Sequence, residues 1–207
     1  VADVSVRPAT ADDVTELARI QLDTWRLAYQ TVLPAEILQS LDTDSIAASW
    51  HAAVTAPPSR QHQVLVANEG EYRVGFTAFG PDADRQPADP EPESTAAISM
   101  LLVEPRWGRR GHGSRLLAAV ADLARAGGAH RLVAWVPVAD TASLQFYRSA
   151  GWEADGLRRD LDTGAGTVTE LRLHASLDES EAAPGYETGT ESETGAGSES
   201  GSDEAPR

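Results

Sequence analysis

The first residues alternate apolar and polar in "VSVRPA", which predicts a short strand from about Asp3 to Arg7. Val14, Leu17, Ala18, Leu22, Trp25 and Tyr29 then recur three and four apart, one face of a long helix. Thr10 stands at its N-cap, and Asp12 and Asp13 complement the dipole of its first turn. "LPAEILQSL" restarts a helix with Pro34 in its first turn, and Thr43 to Val54 predicts a third. "HQVLVANEGEYRVGFTAFG" reads as two strands joined by a turn at Glu69-Gly70-Glu71. "TAAISMLLVE" is a longer strand whose almost continuous apolar end predicts burial on both faces. From Gly113 to Ala126 the pattern returns to a helix, with Leu116, Leu117, Val120, Leu123 and Ala124 on one side. "HRLVAWV" is a strand, and "TASLQFYRSAG" is a short helix stopped by Gly151 in the usual C-cap place. "WEADGLRRDL" and "GTVTELRLHA" form a closing pair of strands.

Charge divides this pattern. The chain of 207 residues has a formal net charge of -15. Of this, -8 lies in 178–207 and -4 between Pro81 and Ser94, so the remaining body is near balance. The first segment has almost no aliphatic side chain larger than alanine and cannot bury enough surface to offset its ordering entropy, so it reads as an acidic disordered tail. The second is rich in Pro and Asp and reads as a mobile, solvated loop. The body lacks the basic face that nucleic acid requires. No cysteine is present, which removes disulfides and thiol chemistry, and no metal-ligand spacing is apparent. With no apolar run of membrane length and no signal-like start, a cytoplasmic protein without a membrane partner is expected.

The chemistry concentrates in "EPRWGRRGHGSRLL", where a strand stops at Val103-Glu104-Pro105 and a leucine helix follows. A helix N-terminus has unpartnered N–H groups and partial positive charge, glycines let a ligand approach them, and Arg109 and Arg110 add full charges. That combination reads either as an anion site suited to phosphate or as a tight strand-to-helix turn with solvated arginines. The P-loop pattern fails because Ser114-Arg115 follows Gly113, and the dinucleotide fingerprint fails because Leu116 takes the place of its third glycine.

Taken with the later stretch "DTASLQFYRSAGW", the chain resembles the GCN5-related N-acetyltransferases from about Val4 to Leu173. The V-x-P and Q/R-x-x-G-x-G/A elements fall on Val103–Pro105 and Gly108–Gly113, with Gly108 replacing the usual Gln or Arg. The N-x-x-A-x-x-F-Y-x-x-x-G-F element falls on Asp140, Ser143, Phe146, Tyr147, Gly151 and Trp152, with Asp140 replacing Asn and Ser143 replacing Ala. The resemblance implies an α/β (α+β) fold over residues 1–177: a twisted, mixed, largely antiparallel sheet of seven strands, splayed where the cofactor enters, with helices on both faces.

It also implies acetyl-CoA as co-substrate, its diphosphate on the elbow formed by Arg109, Arg110, Gly111, His112, Gly113 and Ser114, and its pantetheine arm along Leu101, Leu102 and Val103. Asp140 and Ser143 would lie beside it, Asp140 doubling as an N-cap. Tyr147 would protonate the departing thiolate, since a phenol keeps its proton at neutral pH. The first helices would build the acceptor pocket, with Trp25, Tyr29 and Trp50 as lining for a small-molecule or peptide amine. No general base is assigned: Glu104 reads as a solvated residue beside the turn, and His51 as a surface or packing histidine. A homodimer is left open beside a monomer. The alternative function is a non-catalytic acyl-CoA-binding or regulatory module on the same scaffold.

Overall fold

The computed structural model describes residues 3–85, 89 and 92–178. The expected tail, from residue 179 onward, lies outside the described residues, as do 86–88 and 90–91 of the acidic loop. Seven strands run in the order β1-β2-β3-β4-β5-β7-β6. They are β1 (Val4–Pro8), β2 (Gln63–Glu69), β3 (Tyr72–Pro81), β4 (Thr95–Val103), β5 (Arg131–Pro137), β6 (Glu153–Asp162) and β7 (Thr167–Ser176). The helices are α1 (Val14–Ala28), α2 (Ala35–Ser40), α3 (Thr43–Thr55), α4 (His112–Ala126) and α5 (Thr141–Ser149). All pairings are antiparallel except β4 with β5, the pair that α4 connects, as a parallel crossover requires.

The sheet is covered on both faces. Leu65, Val74, Leu116, Val120, Leu132, Tyr147 and Leu173 belong to one core, which takes in α4 and α5. Leu17, Ile20, Val64, Val66, Phe76 and Leu102 belong to the other, under α1 and α3. Successive β2 residues divide between the two cores, as the period-two geometry of a strand dictates.

The entrance to α1 departs from expectation. Thr10 precedes a 3-10 turn, Ala11–Asp13, and α1 begins only at Val14. Asp13 is no solvated dipole charge. It is fully buried, pairs with Arg7 at 2.7 Å and Arg73 at 3.1 Å, and accepts from the Thr10 N–H at 2.9 Å. The acidic loop also does more than face water. Asp82 is buried, Asp84 pairs with Arg159, and Asp89 pairs with the buried Arg172. Arginines on β6 and β7 therefore hold Asp84 and Asp89 of this segment, while Glu93 pairs with Arg85 within the loop.

One irregularity shapes the rest of the molecule. Ala78 faces Met100 but Phe79 faces Ile98, so Ser99 is an extra residue in β4, a β-bulge. The β4–β5 ladder runs only from Thr95↔Arg131 to Ile98↔Ala134 and stops at that bulge. A bulge bends its strand and increases its twist. The rest of β4 keeps its bonds to β3 and turns away from β5, which opens the sheet.

Candidate functional site

Two grooves meet at the opening. One, of about 350 Å³, runs from the elbow along Leu101, Leu102 and Val103 to Asp140, Ser143 and Phe146. The other, of about 300 Å³, is lined by Trp25, Tyr29, Leu33, Ile37, Trp135, Tyr147, Leu161 and Glu170, among others. Tyr29, Leu101, Leu102, Asp140 and Ser143 line both. The bulge lies behind the seam, since Ser99 and Ile98 also line the second groove.

Glycine chemistry and a short 3-10 turn, Pro105–Trp107, build the elbow. Gly111 has a φ of +82°, and Arg109 a φ of +63°, where a side chain is disfavoured. Left-handed residues in such a turn aim successive N–H groups to one side, the backbone geometry of an anion nest. Among the described residues, no backbone carbonyl accepts from the N–H groups of 109–114, and the first amide taken is that of Arg115, by Gly111. A Cβ on Gly113 would stand 3.2 Å from Phe146, so its absence lets the start of α4 pack against α5. Unpartnered amides at a helix N-terminus, opening into a groove beside an unpaired strand edge, suit a phosphate with a long polar arm.

The elbow side chains divide into two roles. Arg109 lines the groove. Arg110 does not. Its guanidinium pairs with Glu69 at 3.0 Å and lies 4.9 Å over the Trp107 ring. The His112 ring is buried and meets Glu69 at 2.8 Å, so only the backbone of His112 is available to a groove ligand. Glu69 thus holds the elbow from the β2 side, a role not visible in the motif itself.

Asp140 accepts from the Ser143 N–H at 3.0 Å, the expected N-cap of α5. Tyr147 is buried, with its ring 4.8 Å from Trp152 and 5.3 Å from Phe146. Burial raises its phenol above the ordinary tyrosine value, and Tyr29 and Asp140 raise it further. Burial raises the Tyr29 phenol too, and the Asp140 carboxylate adds to the shift.

Trp25 and Tyr29 stack with centroids 6.1 Å apart and together line the second groove. Trp50 does not join them. Its Nε1 donates to Gln21 at 2.7 Å and its ring packs on Phe76, which fixes it between α3 and the sheet. Glu104 is also corrected. It is buried and bound by Arg19 at 3.2 Å and Arg106 at 2.8 Å, and so is not solvated. His51 is exposed on α3, as expected. Trp135 and Glu170 were missed. They stand on β5 and β7, and nothing local in those strands marks them as groove residues.

Comparisons with known proteins follow the same outline. A family model described as the acetyltransferase (GNAT) family matches residues 16–152. The chain is 29% identical over 147 residues to the uncharacterized N-acetyltransferase YuaI of Bacillus subtilis (strain 168), covering 70% of this chain and 78% of that one. Its fold is similar to that of yncA from Salmonella typhimurium, solved with acetyl-CoA (TM-score 0.61, 23% identity, 86% of this chain and 96% of that one). It is also similar to a PaiA N-acetyltransferase from Thermoplasma acidophilum in complex with coenzyme A (TM-score 0.67, 15% identity, 84% and 99%). A third similar structure is a ribosomal-protein-alanine N-acetyltransferase from Brucella melitensis (TM-score 0.64, 22% identity, 83% and 99%).

Proposed function

The chain belongs to the acetyltransferase (GNAT) family, and from that premise we propose that it moves an acetyl group from acetyl-CoA to a primary amine by direct attack. The observation that carries this reading is the run of unpartnered amides at 109–114, opening into a groove beside the free edge of β4. In this reading those amides and Arg109 hold the diphosphate, and β4 from Leu101 to Val103 aligns the pantetheine arm. Its thioester then reaches the seam between the grooves. The amine approaches through the second groove, where Trp25, Leu33, Ile37, Trp135 and Leu161 favour an apolar body and Glu170 adds negative charge. Tyr147, protonated and lining the second groove, gives its proton to the leaving sulfur.

Calorimetry with acetyl-CoA, bare CoA and a longer acyl-CoA tests the donor, and thiol release over a panel of primary amines tests the transfer. Tight acetyl-CoA binding with no thiol release on any amine would favour the non-catalytic module instead. Failure to bind any of the three would end the reading. A sharper test is Arg109→Gly. Glycine accepts the positive φ without strain, so the thermal midpoint should hold, while loss of the cation weakens acetyl-CoA binding by about tenfold. Equal affinity in the two chains would remove Arg109 from the site.

A further inference from the structure

Two carboxylates line the pair of grooves, Asp140 and Glu170. Glu170 accepts from Arg159 Nε at 2.6 Å, so a fixed cation already answers its charge. Asp140 is placed differently. One of its oxygens caps α5 through Ser143; Oδ2 is buried, and the carboxylate has the Tyr29 hydroxyl as a hydrogen-bond partner. The residue is 7% exposed and sits at the seam, lining both grooves. A buried carboxylate with no salt-bridge partner among the described residues costs stability, and such groups call for a functional reason. Here the carboxylate lies where donor and acceptor must meet.

We propose that Asp140 is the base that takes the proton from the incoming ammonium. The inference rests on the acetyl-transfer reading above. The ionisable groups facing Asp140 are Tyr29 just past the end of α1, Tyr147 from α5, Glu170 from β7 and Arg109 from the elbow that lines the same groove. Burial and the Asp140 charge both hold the two phenols in their protonated form, which leaves Asp140 as the acceptor among them.

The proton balance closes. The ammonium gives one proton to Asp140 Oδ2, and the freed lone pair forms the N–C bond at the thioester carbonyl. As the C–S bond breaks, sulfur leaves with the bonding pair and takes the Tyr147 proton. The second proton on the attacking nitrogen restores Tyr147, and Asp140 releases its proton to solvent after the products leave.

Asp140→Asn tests this cleanly, because Asn is an equally good N-cap and nearly the same shape. With the alkylamine that the parent turns over fastest, kcat/KM at pH 7 should fall about 10²-fold or more. The deficit should shrink as pH rises and the amine loses its own proton. Trifluoroethylamine, already mostly neutral at pH 7, should react with parent and variant at similar rates. Calorimetry with acetyl-CoA follows donor binding separately. An equal, pH-independent loss with both amines would assign Asp140 a structural role and overturn the proposal. An undiminished rate with the alkylamine would overturn it as well, leaving acetyl transfer intact. A parent chain that binds acetyl-CoA but acetylates no amine at any pH would overturn both readings.

Discussion

Tyr147→Phe is expected to lower kcat by about 10²-fold or more while acetyl-CoA binds as it does to the parent chain. The substitution removes one oxygen and leaves the packing in place. The ring lies against Trp152 at 4.8 Å and Phe146 at 5.3 Å, contacts a phenylalanine keeps. What is lost is a proton donor in the groove that also holds Trp25, Tyr29 and Glu170. Burial first, and then Tyr29 and Asp140, hold the phenol above its ordinary value, so the donating form persists throughout the neutral and mildly alkaline range. The parent's rate should therefore show no alkaline fall from this group below the usual tyrosine value of about 10. Single-turnover thiol release and calorimetry on the same variant separate chemistry from binding. A kcat unchanged within error would reassign the leaving-group proton to solvent and reduce Tyr147 to a core residue.

Local patterns announced the skeleton because its causes are local. The leucine spacing of α4, the glycine turn at Gly70 and the stop at Gly151 each act within a few residues, and each element formed close to its expected bounds. The elbow was legible for the same reason: glycines, arginines and a helix start lie within one short stretch. The errors share the opposite cause. His112 meets Glu69 across 43 residues, and Glu104 meets Arg19 across 85. No spacing rule pairs them. The bulge at Ser99 depends on how β4 registers against β3, which the apolar run "ISMLLV" does not encode. Asp140 looked anomalous in the family pattern because Asn usually stands there. The cap explains one of its oxygens, and the residue lies at the seam between the two grooves, beside the Tyr29 hydroxyl.

Asp13→Ala is the change expected to cost the most stability, about 3 kcal/mol at neutral pH. Asp13 is a fully buried carboxylate that ties Arg7 of β1 and Arg73 of β3 to the turn that starts α1. Removing it leaves two guanidinium groups facing each other without a counter-charge. Those arginines are 37% and 34% exposed, so water screens part of the loss and the lower end of the range for a broken buried pair applies. For a domain of this size the thermal midpoint should drop by roughly 6–12 °C. The pH dependence fixes the cause. The Arg7 hydrogen bond, aided by Thr10 and Arg73 and opposed by burial, holds the Asp13 carboxyl well below the usual carboxylate range. A depressed folded-state value means that the stabilisation is complete above the unfolded value of about 4 and erodes as pH falls below it. The gap between parent and variant midpoints should thus be full at pH 7 and narrower at pH 3. A gap that ignores pH would mean that Asp13 acts through packing rather than charge. The same hub sets where α1 starts, and α1 carries Trp25 to the second groove with Tyr29 just beyond its end. The charge that anchors the fold at one end of the helix therefore also positions the aromatic wall at the other.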